Sequence, residues 1–290
     1  MHSDAGKCNR IRERILTQNR GIYSCQTKLF NIMARQKGLI KLDGTIGGIT
    51  FYKSKDGYLA REKGGVSGDR IANDPNFQRT RENGEEFGRA GKAGRLLRTA
   101  LRNVLKSSAD GRMVGRLTAE MVKVIQADVT NTRGQRNVID GEAELLIGFD
   151  FNIKGKLRNT LYAPYTQNLS RATGLLEVTI PAFVPANMIA APNGATHFKI
   201  ESAGAEVDFE NEVFVTETSE TSIIALDGTA TAPITLSNAV SPNSVHPLFL
   251  VLGIEFFQEV NGEMYSLKNG MFNSLTLIGV NGSQVVLSGG

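Results

Sequence analysis

Hydrophobic positions change their period twice along this chain. Residues 39–42, 49–52 and 58–61 are short β-prone runs, separated by Asp43-Gly44, Gly47-Gly48 and the hairpin signal Asp56-Gly57, so residues 39–63 predict a β-meander. A polar connector over 64–75 follows. From about Pro75 to Lys106 the period becomes helical, with Phe77, Phe87, Leu97, Leu101, Val104 and Leu105 recurring and Asn73 or Asp74 ahead of Pro75 as the start signal. A second helix is predicted over 111–127, with Asp110 as its cap and Met113, Leu117, Met121, Val124 and Ile125 as its apolar stripe. The two make an antiparallel hairpin.

After a polar loop at 130–137, residues 145–152 read as a strand alternating Ile147, Phe149 and Phe151. The helical period is gone from Thr160 onward. Strands are expected over 175–180, 195–201, 207–215, 221–226, 233–238, 248–260, 263–267 and 275–287, with hairpin turns at Asn261-Gly262 and Asn269-Gly270. The fold class is therefore α+β: an N-terminal meander plus helical hairpin, then a mostly antiparallel β-sandwich of immunoglobulin or fibronectin type.

Composition adds size and core. The 290 residues are 41% hydrophobic and include no Trp, enough for a real core. The most apolar stretch, 248–257, is interrupted by Gly253 and Glu255 and reads as a buried strand rather than a membrane span.

Charge changes the picture more. Residues 1–32 carry six Lys/Arg against two Asp/Glu, residues 33–158 carry 24 against 15, and residues 159–290 carry three against 12. That divides the chain into a basic leader, a basic meander and helical region at 33–158, and an acidic sandwich at 159–290. Either the two halves pack on each other or each meets a partner.

Candidate chemistry is sparse. None of the three histidines (His2, His197, His246) has a second ligand at metal spacing, and His197 and His246 read as structural. The Gly88–Gly94 segment is not a phosphate loop, because Glu86 stands where the first glycine belongs and Ala93 follows Lys92. No catalytic residue, metal or cofactor is expected, although a carboxylate pair such as Glu142 and Glu144 keeps an enzyme as the least favoured reading.

Two charged surfaces stand out. Arg89, Lys92, Arg95, Arg98, Arg102 and Lys106 recur at three or four residues, and Lys53, Lys55 and Arg61 surround aromatics of the first hairpin. Both sets suit nucleic acid; the plainer readings are a solvated helix face and lysines that keep an edge strand soluble. Glu82, Glu85 and Glu86 suit the helix dipole. Period two places Glu206, Asp208, Glu210 and Glu212 on one strand face opposite Val207, Phe209 and Val213. That face reads as the solvated outside of the sandwich, with Ca²⁺ or the basic half of a neighbouring copy as the functional alternatives.

Lys37-Gly38, Gly44-Thr45-Ile46-Gly47, Phe51-Tyr52-Lys53 with Gly57, and the segment from Gln78 and Arg81 to Phe87 carry a resemblance. Over residues 33–152 the chain resembles an uncharacterised family associated with Bacteroidota and their mobile elements. The resemblance implies a short meander, a helical section and C-terminal Ig-like β domains, and it implies no activity. The expectation is a non-enzymatic structural or interaction protein, a homo-oligomer or partner to another protein, with nucleic-acid binding as the alternative. Without a signal segment, the cytoplasm or a virion-like particle is the favoured location.

Both cysteines, Cys8 and Cys25, fall in the basic leader, and Met33-Ala34-Arg35-Gln36-Lys37-Gly38 looks like an ordinary start. Translation is therefore expected to begin at Met33. N-terminal mass spectrometry of the native protein tests this, and peptides spanning Ile11 to Lys28 would refute it.

Overall fold

The computed structural model describes residues 33–54, 57–62 and 65–282, and the chain divides between Gly68 and Asp69 into two compact units. The leader at 1–32, Lys55, Asp56 and the expected last strand beyond 282 lie outside the described residues. The fold is α+β, as the changes of hydrophobic period predict.

The first unit is an antiparallel sheet of β1 (Met33–Arg35), β2 (Gly44–Ile46), β3 (Ile49–Ser54) and β4 (Gly57–Glu62), in the order β1-β4-β3-β2. Strands β3 and β4 are the expected hairpin of the meander, whereas β2 forms where a separator was expected, and Gly47 supplies the left-handed turn residue at φ 57° between β2 and β3. The expected strand at 39–42 is absent. Because β1 and β2 lie on opposite edges, the chain between them crosses about three strand spacings, roughly 14 Å. Residues 36–43 make that crossing, held where Lys41 Nζ donates to the Gln36 and Gly38 carbonyls at 2.7 and 2.6 Å.

Helix α1 (Gly68–Asn73) and a 3-10 turn (Pro75–Phe77) lead into α2 (Gln78–Ala100), and the Asp74 carboxylate accepts the Asn76 N–H at 2.9 Å to start the turn. At Leu101 the backbone leaves helical geometry, and α3 (Arg102–Ser108) continues beyond the break. Helix α4 (Met113–Gln126) buries the five residues of the expected stripe. Opposite them α2 buries Ala90, Ala93, Gly94, Leu97 and Ala100, with Gly94 against Leu117 and Met121. Phe87 departs from the expected apolar face, being exposed, and Gly84, Gly88 and Gly91 face open space beside it.

The rest of the second unit is α5 (Leu157–Thr160), β5 (Thr166–Ser170), β6 (Leu175–Ile180), α6 (Pro185–Met188), β7 (His197–Asp208), β8 (Val213–Glu220), β9 (Ile224–Ala225), β10 (Ile234–Ala239), β11 (Leu248–Val260), β12 (Glu263–Ser266) and β13 (Ser274–Asn281). One sheet runs β12-β11-β7-β8, with β13 also on β11 and β9 also on β7; a second runs β10-β6-β5. Every pairing is antiparallel.

The two sheets pack face to face. Leu176, Val178, Leu236, Phe198, Leu250 and Leu252 share one core between them. The opposite face of the larger sheet packs on the helices, so that Leu97, Leu117, Ala203, Phe249 and Leu275 share another. The expected domain boundary at 158/159 thus falls inside one compact unit, because helices and sheet complete each other's core.

Three further expectations are corrected. Residues 145–152 form a 3-10 turn and a single bridge from Asp150 to Thr276: Gly148 turns left-handed, and only 148–151 run beside β13, through backbone bonds of Gly148, Phe149 and Phe151 to Leu277 and Leu275. Asn269-Gly270 does not join two strands; Lys268, Asn269 and Gly270 are all left-handed in an irregular turn, whereas Asn261-Gly262 does close the β11–β12 hairpin. Asp110 lies ahead of the cap position of α4, held by Arg112, and its carboxylate accepts the Arg112 and Ile153 amides and the Arg116 guanidinium.

Glu201 is a buried carboxyl in the middle of β7, and its Oε1 has no hydrogen-bond partner. Burial, then the Glu255 charge, pushes it up to about 8 despite the nearby Lys199. The folded state therefore holds a proton that the unfolded chain releases near 4.5, and stability falls as pH rises from about 4.5 to about 8. Urea unfolding across that window should show Glu201→Gln gaining roughly 3 kcal/mol over the native protein at the alkaline end. Parallel pH profiles for the two proteins would contradict this.

Candidate functional site: a groove between a basic helix and an acidic hairpin

The expected strand at 207–215 is a hairpin instead. Asp208 ends β7, and its Oδ1 accepts the Glu210 and Asn211 amides at 2.9 and 3.1 Å while Oδ2 accepts Asn211 Nδ2 at 2.7 Å. With Glu212 left-handed at φ 56°, the chain reverses into β8. This breaks up the expected row of four carboxylates. Glu206 and Asp208 are buried, and only Glu210 and Glu212 are exposed, in the turn.

The buried pair is occupied with structure. Burial works to raise the Glu206 carboxyl, but the Ser244 hydroxyl and the groups of Ser241 outweigh it and hold it below its ordinary value. At Asp208 burial is likewise outweighed by the Asn211 side chain and the turn amides. Neither has the open oxygen that a metal ligand needs.

Phe209 packs edge-on to Phe249 at 6.1 Å and anchors the turn to the core. Above it lies a cavity of about 250 Å³ whose walls include Arg89, Lys92, Leu96, Val138, Glu210 and Glu212. Structure thus brings two of the predicted basic residues and two of the predicted acidic ones to one groove. Periodicity could not find this, because the two segments are more than a hundred residues apart.

The basic stripe itself divides. Lys92, Arg95, Arg102 and Lys106 are exposed. Arg89 is half-buried, donating to the Arg136 carbonyl at 3.0 Å, and Arg98 turns back to the Gly94 carbonyl at 3.1 Å. Arg89 and Arg98 therefore leave the solvent face. In the first unit Lys53 lies over the Tyr58 ring at 5.7 Å and Arg61 over Tyr52 at 5.4 Å, so both aromatics carry cations.

Glu86 corrects the dipole reading. It is buried and accepts the Gly134 amide and Arg136 Nε, both at 2.9 Å. Arg136 in turn donates to the Gln126 carbonyl at 3.0 Å at the end of α4. This clasp fastens the 130–137 loop across α2 and shapes one wall of the groove. Sequence reasoning also missed Arg171, whose buried guanidinium donates to the carbonyls of Ser244, His246, Asn281 and Gly282 and to the Asn281 side chain. The signal was present: Arg171 is one of three cations after residue 158.

Among the described residues no group of three or more His, Cys, Asp or Glu side chains is placed to hold a metal ion, and no helix is long and apolar enough to cross a membrane. His197 meets Thr196 at 2.9 Å and His246 lies 3.7 Å from Asp208. The groove offers charged and apolar walls for contact.

Breaking the clasp should be costly. Glu86→Ala leaves the Arg136 guanidinium unpaired, and a loss of about 3 kcal/mol is expected in urea unfolding. A loss within experimental error would show the clasp to be dispensable. No family model matches the chain, and comparison with curated proteins and with solved structures gives no match.

Proposed function

We propose that this is a non-enzymatic structural or interaction protein that self-associates through its helical half. One observation carries the reading. Four exposed cations, Lys92, Arg95, Arg102 and Lys106, gather on α2 and α3, and four exposed carboxylates, Glu210, Glu212, Glu217 and Glu220, gather along the β7–β8 hairpin. The four cations have no ion-pair partner among the described residues, while Glu220 has Lys199 at 2.9 Å. A cationic surface on one copy and an acidic hairpin on the next are complementary, and such a contact repeats head to tail. Exposed Phe87, between the open Gly84 and Gly88, gives that helix an apolar contact point. By analogy, a β-sandwich module is of the kind used in adhesion and virion assemblies, which favours an assembly role with a virion-like particle as its setting.

Light scattering over a concentration series tests the reading. Association into species larger than a dimer should appear at low salt, weaken as salt screens the charges, and disappear in the double variant Arg95→Glu, Arg102→Glu. A strictly monomeric native protein would overturn it. Nucleic-acid binding is the second reading, favoured by the same four cations. It predicts a shift of DNA or RNA that weakens steeply with salt and is lost in that variant; no shift at low salt ends it.

A further inference from the structure

The sheet of the first unit has two unlike faces. Cross-strand partners share a face, and side chains alternate along each strand. The registers Ala34↔Ala60, Phe51↔Ala60, Lys53↔Tyr58, Ile49↔Glu62 and Ile46↔Ile49 therefore put Ala34, Ile46, Ile49, Phe51, Tyr58 and Ala60 together. The other face carries Arg35, Thr45, Thr50, Tyr52, Leu59 and Arg61. It closes on itself: Arg61 covers Tyr52, Thr45 bonds Thr50 at 3.2 Å, and Leu59 is the one buried hydrophobic residue described in this unit.

On the apolar face Ile46 is 62% and Ile49 46% exposed. A shallow cavity of about 380 Å³ opens beside Ile49, walled by Ala34, Gly48 and Ala60. A sheet of four short strands with a single buried hydrophobic side chain lacks the covered face that such a sheet needs for stability.

We propose that this face is covered by the same face of a second copy. The placement of charge selects that occupant. Among the described residues the strands place two charges on the face, Lys53, at the end where β3 pairs with Tyr58, and Glu62, at the opposite end beside Ile49; Lys41 of the crossing segment adds a second cation at the Lys53 end, 5.9 Å from the Tyr58 ring centre. A twofold axis lying between two such sheets and across their strands reverses strand direction. Lys53 of one copy then lies over the Ile49 end of its mate, within a side chain's reach of Glu62, and the pairing occurs twice. The apolar centre, Phe51 and Ala60, meets its own image. A face that is apolar in the middle and oppositely charged at its two ends is complementary to itself, as a twofold contact requires.

Two strands of six residues and two of three, at about 4.8 Å spacing and about 3.3 Å rise, give a footprint of roughly 300 Å² per copy, about 600 Å² in all. That is below the roughly 1,000 Å² of a lasting interface, so the dimer is expected to be weak and rapidly reversible, with a Kd on the order of hundreds of micromolar. The contact is separate from the helical surface and rests only on the reading that the protein self-associates.

Sedimentation velocity of the full chain carrying Arg95→Glu and Arg102→Glu, which removes the helix–hairpin contact while low salt leaves Lys53 and Glu62 unscreened, is the test. That protein should dimerise. Adding Lys53→Glu or Glu62→Lys should weaken the dimer about tenfold by placing like charges opposite each other, and combining them should restore it. Ile49→Asp should abolish it, and the surface charge variants keep the test sound if that protein does not fold. A monomer in this background, with the sheet covered within its own chain, overturns the proposal. So does a dimer indifferent to all three single substitutions. If the protein without the Arg95 and Arg102 changes still associates at low salt, the helical reading survives that failure; if neither associates, both fall.

Discussion

Strand β11 has no solvent-facing side over most of its length, and the second unit follows from that constraint. Leu248, Leu250, Leu252, Ile254 and Phe256 point into the core between the sheets, while Phe249 and Val251 point into the core under the helices. A strand buried on both sides reads as a continuous apolar run, as 248–257 does. Such a strand needs a layer on each face. The three-stranded sheet is one and the helical hairpin is the other, so the helices belong to the same unit as the strands they cover.

The neighbouring strand β7 shows what this costs. Ala203 and Ala205 keep the helix side shallow, and Gly204 lets the sheets approach: a Cβ there would lie 2.7 Å from the Asn238 side chain. Polar groups caught inside have to be satisfied or neutralised. Glu206 and Asp208 are satisfied by serine, asparagine and turn amides, whereas Glu201 retains a proton. Arg171 gathers five acceptors from two segments, tying the β5–β6 turn to the residues ahead of β11 and the end of β13.

What could be read from the sequence followed local rules. The stripe of α4, the Asn261-Gly262 turn and the long apolar strand each depend on a few adjacent residues, and each is present. Failures came where distant partners decide. Residues 145–152 alternate like a strand, yet a 3-10 turn and left-handed Gly148 leave only a single bridge, from Asp150 to Thr276 on β13. Residues 206–212 alternate as well, but Asp208 serves its own turn amides in preference to a ladder. Of the candidate site, residue types were legible and their meeting was not: nothing local tells Arg89 and Lys92 on α2 that Glu210 and Glu212 stand across a groove.

The charge division, large in the count, is smaller on the surface. Glu86 and Arg136 cancel inside the helical half, Glu206 and Asp208 are enclosed, and Lys199 sits between Glu220 and Glu255 at 2.9 and 3.0 Å. These pairs answer internal needs and leave little field for a partner. Exposed charge gathers in one group on α2 and α3 and in another on the β7–β8 hairpin, with further exposed charges elsewhere, among them Glu85, Lys123, Glu142 and Lys154. Opposite signs held on one rigid unit cannot all meet each other, because the sheet and helices fix their separation. They can be neutralised in full only by another molecule or by ions, and another copy brings the matching set in the same proportion.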